Sequence, residues 1–229
     1  IIMNWNTLFS SSIGKKLQMG LTGIFLILFL LVHCYINAQI FWNDGGQKFN
    51  EAAHFMANNP LIRISELGLF AFLILHTIQG LSLYFKNKSR RTQAYKVSAG
   101  NATSKWYSRS MAILGTLILL FLVMHLNHFW VPSRITGLET YNFNGVEYHN
   151  LYAKMQLQFK DAMVVAIYTL GCISLAWHLL HGFYSAFQTL GLASFKYKAL
   201  IKSVGIVFSI LIPLLFASMP IAFFLDLIK

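Results

Sequence analysis

The sequence predicts an all-α membrane protein built as one integral domain over residues 1–229. The first reason is composition: 56% of the residues are hydrophobic and only 11% are charged, too few charges to cover a soluble domain of this length. The second reason is that five apolar stretches reach the roughly 20 residues that a helix needs to span a bilayer. We expect these spans at Leu17–Ile40, Leu61–Phe85, Ser110–Trp130, Ala162–Phe187 and Ser203–Leu225.

The first span and the connection after it carry their own signals. Leu17–Ile40 is longer than the apolar region of a signal peptide and has no A-x-A-like exit, so we expect it to remain as a span. The outer connection 41–60 has the pattern of a short amphipathic helix at Phe49–Met56. Pro60, preceded by two asparagines, predicts the start of the second span.

The later connections differ in composition. Residues 86–109 form a basic inner loop. Residues 131–161 form a second outer loop, with turn formers at Gly137, Asn142, Asn144 and Gly145. The last span carries Pro213 and Pro220, which predict a kink. It has no histidine, and we interpret it as a packing element.

Charge is unevenly distributed along the chain. The net charge is +11, and three segments, 1–16, 86–109 and 188–202, together hold twelve Lys and Arg and no Asp or Glu. Because basic loops stay cytoplasmic, we expect a bacterial-type inner-membrane protein with its N-terminus inside and, after five spans, its C-terminus outside. The basic excess therefore indicates topology and contact with anionic membrane lipid rather than a nucleic-acid partner.

Four histidines lie inside four successive apolar spans. An ionisable side chain at membrane depth is rare and usually marks a functional site. His33 and His125 come about 16–17 residues after the inner ends of their spans, roughly 25 Å from the inner surface. His76 and His178 come about 13–17 residues after the outer ends of theirs, roughly 20–25 Å from the outer surface. These depths predict an outer pair, His33 with His125, and an inner pair, His76 with His178.

Two imidazoles at one depth on facing helices are what a bis-histidine haem requires. The sequence therefore predicts that the first four spans form a haem-binding bundle with two haem b groups, stacked on the order of 10–15 Å apart within a bilayer core. The motif C-x-x-C-H is absent, which excludes covalent attachment of a c-type haem. Cys34 and Cys172 form no C-x-x-C pair and predict neither a disulfide framework nor a metal–thiolate site.

Glycines recur at fixed offsets from these histidines. Gly23 and Gly115 each precede the histidine of their span by ten residues, while Gly80 and Gly182 each follow theirs by four. Since glycine lets a flat macrocycle pass close to the backbone, we expect Gly23 and Gly115 beside the inner haem. The outer haem has two candidates for the same role, Gly68 and Gly171.

The other candidate site residues each have a plainer interpretation as well. Lys16 and Arg109, at the inner ends of their spans, could hold haem propionates, or could simply snorkel to the interface. Glu51 in the first outer loop could carry protons for a quinone, or could be an ordinary solvated carboxylate. His128 and His181 each follow a ligand candidate by three residues, and spacing alone excludes neither of them as the ligand.

The segments around these histidines resemble a known family. In chain order they are FLILFLLVHCYIN, FNEAAHFMANNPLIR, LILHTIQG, LLFLVMHLNHFW and LAWHLLHGFYSAF. Together they are similar to the dihaem cytochrome b membrane-anchor subunit of succinate dehydrogenases and fumarate reductases, of the five-helix, single-polypeptide type. The resemblance covers nearly the whole chain.

The resemblance implies a role for each site residue. It assigns His33 and His125 to the distal haem, in preference to His128. It assigns His76 and His178 to the proximal haem, in preference to His181. The quinone-site glutamate of that family follows a Lys-Phe-like pair, and Glu51 stands near that place with an offset of one residue.

The resemblance also implies partners and a function. The partners are a flavoprotein subunit with the dicarboxylate site, an iron–sulfur subunit on the inner face, and menaquinone near the distal haem; a dimer of the whole complex is compatible with it. Electrons would pass from succinate to menaquinone, linking the tricarboxylic acid cycle to the respiratory chain, or in reverse to fumarate. We expect no succinate oxidation by the chain alone, because the redox chemistry belongs to the cofactors.

Two alternatives stay open. The first is a dihaem cytochrome b anchor of another respiratory enzyme, such as a hydrogenase or a formate dehydrogenase. The second is a haem-free scaffold or solute transporter in which the histidines form a polar relay. Transporters tend to have broken helices and charged residues at mid-membrane. Here we expect all spans except the last to be unbroken, and no acid lies at mid-depth.

Overall fold

The computed structural model describes residues 11–89 and 106–228 and is mostly helical. Within those residues, five helices are long and apolar enough to cross a membrane. They cover Ser12–Trp42, Pro60–Ser89, Met111–Thr136, Ala162–Thr189 and Lys198–Phe224. The five spans expected from the sequence are thereby confirmed as helices, each within a few residues of its expected ends.

The elements follow one another in a simple order. The first half contains α1 (Ser12–Asn37) with a 3-10 turn at Ala38–Trp42, α2 (Gln47–Asn58), α3 (Pro60–Ser89) and the short α4 (Trp106–Arg109). The second half contains α5 (Met111–His125), two π-helical turns at Leu126–Trp130 and Pro132–Thr136, strands β1 (Thr140–Phe143) and β2 (Val146–His149), α6 (Leu151–Gln158), α7 (Ala162–Thr189) and α8 (Lys198–Phe224).

Side-chain caps fix the starts of three long helices. The Ser11 hydroxyl accepts a hydrogen bond from the backbone N–H of Gly14, 2.9 Å away, at the start of α1. The Asn59 side chain accepts from the N–H of Leu61 at the start of α3, where Pro60 has no N–H and needs no acceptor. The Asp161 carboxylate caps α7 in the same way. Each cap satisfies an N–H that the first helical turn leaves unpaired.

The four histidine-bearing helices form an antiparallel bundle. Helix α1 packs along α3 and α7, α5 packs along α7, and α3 and α5 meet only sparsely. Helix α8 has no histidine and packs along α7, as expected for a packing element. We call the end where α1 begins and α3 stops the basic end; there the Lys15 ammonium donates to the Ser82 hydroxyl and Lys86 donates to Ser12. The opposite end is the hairpin end.

The hairpin end is closed by short elements, only one of which was expected. Helix α2 confirms the predicted amphipathic helix. Strands β1 and β2 pair antiparallel through a two-residue turn at Asn144 and Gly145, both with positive φ. Asn-Gly is the usual sequence of such a turn, so the hairpin had a signal that was interpreted only as a loop. Helix α6 was not predicted.

The last span is not broken as expected, whereas the kink predicted at its prolines stays a prediction. Helix α8 runs through Pro213 and Pro220 as one continuous helix. The irregular span is the third, which changes from α-helix to π-helical turns directly after His125. Such turns insert an extra residue into the helical repeat and are frequent at functional sites. The sequence carries no simple signal for them.

Candidate functional site

The bundle brings the four intramembrane histidines together as two couples. His33, near the end of α1, faces His125 at the end of α5, and the ring centroids are 5.9 Å apart. His76 in α3 faces His178 in α7, with centroids 6.2 Å apart. We call these the hairpin-side couple and the basic-side couple. The partners are those that the helical depths predicted, and His125 rather than His128 faces His33.

The centroid separations suit two imidazoles that share one metal ion. With a metal–nitrogen bond of about 2 Å on each side and about 1 Å from each nitrogen to its ring centre, facing rings lie about 6 Å apart. Among residues 11–89 and 106–228, no group of three or more His, Cys, Asp or Glu could hold a bare metal ion. Each couple therefore brings two imidazoles together at a separation that one shared metal ion would allow.

The basic-side couple has one anchored and one unanchored imidazole. The Nδ1 atom of His76 lies 3.1 Å from the Thr22 hydroxyl oxygen on α1. The Nδ1 atom of His178 is buried and has no hydrogen-bond partner. A metal-binding histidine usually directs its second ring nitrogen to a hydrogen-bonding group, which fixes the tautomer. Thr22 fills that role for His76.

The hairpin-side couple is less completely arranged. The Asn37 amide nitrogen donates to the backbone carbonyl of His33 at 2.7 Å and lies 3.3 Å from Nδ1 of the same residue. An amide nitrogen only donates, so in this arrangement Nδ1 of His33 accepts. Metal binding through Nε2 requires the proton on Nδ1 instead, and hence a different orientation of Asn37. Nδ1 of His125 is buried and unpartnered.

Aromatic rings surround the hairpin-side couple. Phe29 stacks on His33 with centroids 5.1 Å apart, and Phe216 of α8 lies on another side of that ring at 5.5 Å. Phe121 and Phe129 lie one turn on either side of His125, at 5.6 and 5.5 Å. An apolar shell of this kind excludes water and suits a non-covalently held macrocycle.

Three of the glycine candidates lie beside the imidazoles of the basic-side couple. A Cβ atom added to Gly23 would lie 3.7 Å from Cε1 of His76, and one added to Gly115 would lie 3.7 Å from Cε1 of His178. Gly182 is also near His178, with a corresponding distance of 3.9 Å to Cδ2. The expected position beside the basic-side couple is therefore found, and the neighbour of each glycine is a histidine ring at ordinary van der Waals distance from an added Cβ.

The remaining glycine candidates have other surroundings. Gly80 is packed against the end of the Met19 side chain, 3.3 Å from an added Cβ. An added Cβ at Gly68 would meet open space. Gly171 lies directly under the Phe121 ring, 2.7 Å from its nearest atom. Gly171 thus supports the hairpin-side couple through Phe121.

The charged candidates lie at the ends of the bundle. Lys16 and Arg109 are both exposed residues toward the basic end. Glu51 on α2 accepts a hydrogen bond from the Gln47 side chain one turn earlier, at 2.9 Å, which is a local contact. Four cations of the expected basic loop lie outside the described residues: Arg90, Arg91, Lys96 and Lys105.

The structure also reveals polar contacts that the sequence did not indicate. His128 and Tyr168 lie 3.1 Å apart, from Nδ1 to the hydroxyl, with their rings nearly parallel. Glu66 on α3 accepts from the Trp130 indole at 2.6 Å and pairs with Arg134 and Arg63. Only the local spacing of Arg63 and Glu66, three residues apart, was readable beforehand.

No family model, no curated protein and no solved structure matches this chain. The two histidine couples and their surroundings are therefore the features of the molecule that point to a function.

Proposed function

We propose that this chain is the membrane-anchoring dihaem cytochrome b subunit of a succinate:quinone oxidoreductase of the succinate dehydrogenase and fumarate reductase type. The observation that carries the proposal is the presence of two histidine couples, 5.9 and 6.2 Å between ring centroids, on four consecutive spans. A polar relay requires no such separation, and one couple alone would support only a single-haem protein. The family resemblance of the histidine segments supports the choice of enzyme.

Some residues of the chain would bind the haems, and others would exclude water from them. His33 and His125 would hold one haem b, and His76 and His178 the other. When bound, these haems supply one-electron transfer between an iron–sulfur partner and menaquinone. The phenylalanines around His33 and His125 exclude water, which keeps a low dielectric around the metal.

The ends of the bundle would serve different partners. The basic end would face the cytoplasm, because cytoplasmic loops retain the basic residues. There the iron–sulfur subunit, which carries the flavoprotein subunit, would dock. Menaquinone would react toward the hairpin end, with Glu51 as the proton carrier, and Lys16 and Arg109 would be propionate partners at the opposite end. The whole complex could form a dimer.

The test is haem content in the purified complex. The intact protein should show a b-type α-band in a reduced-minus-oxidised spectrum and two haems per chain. His33→Ala or His125→Ala should remove one haem, and His76→Ala or His178→Ala the other. His149→Ala, in the exposed strand β2, is the control and should retain both. Absence of any b-type band would overturn the proposal. Copurification with a hydrogenase or formate dehydrogenase subunit would instead assign the chain to that enzyme.

A further inference from the structure

We infer that Thr22 is a positioning residue for the basic-side couple: its hydroxyl accepts the Nδ1 proton of His76 and so leaves the Nε2 lone pair for iron. This inference rests on the proposed function, since it concerns a ligand of the proposed haem. Thr22 does not itself touch the metal, and its effect is exerted through His76.

The direction of the hydrogen bond follows from the surroundings of the Thr22 hydroxyl. Thr22 is fully buried, and its oxygen lies 2.8 Å from the carbonyl oxygen of Gln18 and 3.2 Å from that of Met19. A carbonyl only accepts, so the single hydroxyl proton is directed to its own helix. What remains toward His76, 3.1 Å away, is a lone pair. A protonated Nδ1 is the group that satisfies it.

The oxygen is also held in place by the packing of α1 on α3. The Gln79 side chain of α3 donates to the Gln18 side chain of α1 at 3.0 Å, one turn from the Thr22–His76 contact. Both glutamines are buried. Gly23, the next residue along α1, lies beside the same ring, since a Cβ added there would be 3.7 Å from Cε1 of His76. The ring therefore has α1 as its neighbour on one side and a hydrogen-bonding group on another.

The other half of the couple has no equivalent anchor. Nδ1 of His178 is buried without a partner. Within this couple, the described contacts give Thr22 as the hydrogen-bonding group that sets a tautomer. A histidine whose Nδ1–H is donated to an acceptor is a more basic ligand. A more basic ligand stabilises the ferric state more than the ferrous state, and hence lowers the midpoint potential.

The experiment uses the intact complex and three variants. Thr22→Val keeps the branched shape but removes the acceptor, whereas Thr22→Ser keeps the hydroxyl. Thr77→Val is the matched control, because the Thr77 hydroxyl donates to the carbonyl of Leu73 on its own helix, at 2.9 Å, and Thr77 adjoins His76 in the chain. The readouts are haem content, a redox titration that resolves the two haems, and the EPR signal of each oxidised haem.

We expect Thr22→Val to raise the midpoint potential of one haem, the one lost in His76→Ala, and to leave the other unchanged. Thr22→Ser and Thr77→Val should match the unmodified protein. Loss of that one haem alone from Thr22→Val supports the inference as well. If Thr22→Val does not assemble, Thr22→Cys replaces it, and its weaker acceptor should give a smaller shift in the same direction.

Two results would overturn the inference. One is an unchanged midpoint potential in an assembled Thr22→Val or Thr22→Cys complex. The other is a shift that is not specific, seen either equally in both haems or equally in Thr77→Val. These results leave the proposed function intact, since two haems would still be present. Absence of haem from the unmodified complex is a different outcome and removes the proposed function itself.

Discussion

At the scale of single residues, the close contacts in this bundle are between glycines and rings. Gly171 lies under Phe121, and Gly205 lies under Phe183; an added Cβ would come within 2.7 Å of the ring in both cases. The two sites differ in what lies behind the ring. Phe121 packs against His125, whereas Phe183 packs against Phe208 between α7 and α8.

This difference yields a matched pair of alanine variants. Gly171→Ala should displace Phe121 and with it His125, so that the hairpin-side haem is lost or changed while the basic-side haem stays. Gly205→Ala should cost about 1–3 kcal/mol of stability through overpacking, and both haems should stay. Haem content and thermal unfolding, followed by visible absorbance, check both. Equal loss of the hairpin-side haem from both variants would contradict the role of Gly171.

What the sequence tells about residues depends on whether the signal is local. The four histidines were predictable because an imidazole in an apolar span is unusual wherever it packs. The positions of Gly23 and Gly115 beside the basic-side couple were predictable from spacing. It was not predictable that their neighbours would be the rings of His76 and His178. Thr22 carried no signal, because a threonine within a helix usually bonds its own backbone, and its contact with α3 depends on how two helices rotate.

At the scale of elements, the third span differs from the others because it changes helical type after His125. The two π-helical turns project Trp130 and Arg134 toward α3, where both donate to Glu66. Glu66 is only partly exposed. Since α3 and α5 meet sparsely elsewhere, this carboxylate clamps the hairpin end of the third span to the second.

The clamp predicts that removing the Glu66 charge affects the proposed hairpin-side haem, which Glu66 would not itself contact. Glu66→Ala leaves Arg134 and the Trp130 indole without their acceptor, which should cost about 1–3 kcal/mol. Because His125 directly precedes the π-helical turns, the hairpin-side haem should be lost at a lower temperature than the basic-side haem. Glu147→Ala is the control, since this exposed carboxylate accepts a hydrogen bond from the Thr140 hydroxyl within the hairpin.

Thermal scans of the purified complex, followed at the Soret band, separate the outcomes. If both haems are lost from Glu66→Ala at equally lowered temperatures, the clamp stabilises the bundle as a whole. An unchanged scan would mean that the contact contributes nothing measurable. Only a fall confined to the hairpin-side haem fits a clamp that acts on the third span.

The elements that the sequence predicted are those with a strong physical signal. The five spans follow from hydropathy, and α2 follows from its amphipathic pattern. Helix α6 has only eight residues, too few for a clear period. It is fixed by tertiary contacts: the buried Asn50 side chain accepts from the N–H of Tyr152 and donates to Asn150. A contact between residues 100 positions apart leaves no trace in a local pattern.

At the scale of the whole molecule, the arrangement of the helices follows from the order of the spans. Alternating helix directions placed His33 level with His125 and His76 level with His178, and the bundle shows these couples. The sequence did not indicate the sparse contact between α3 and α5, nor the packing of α8 on α7, since both depend on which faces of apolar helices fit one another. The orientation of the bundle across the membrane is still predicted only from the distribution of charged residues along the sequence.

That direction can be tested with single cysteines. Cys34 and Cys172 are buried, so they give little background with a membrane-impermeant thiol reagent. Glu147→Cys places a thiol on the exposed face of the hairpin, and Phe195→Cys places one at a position 99% exposed in the connection before α8. If the basic end is cytoplasmic, Glu147→Cys should be labelled in intact cells. Phe195→Cys should be labelled only after the membrane is opened and the complex dissociated with detergent.

The labelling result also decides which couple would be nearer the proposed iron–sulfur partner. With the basic end inside, the basic-side couple would be closer to a cytoplasmic electron donor, and the hairpin-side couple would be closer to the proposed quinone on the other side. Labelling of Phe195→Cys in intact cells, with Glu147→Cys protected, would reverse the orientation. The order of electron transfer through the two couples would then be reversed too, although each couple would retain its ligands.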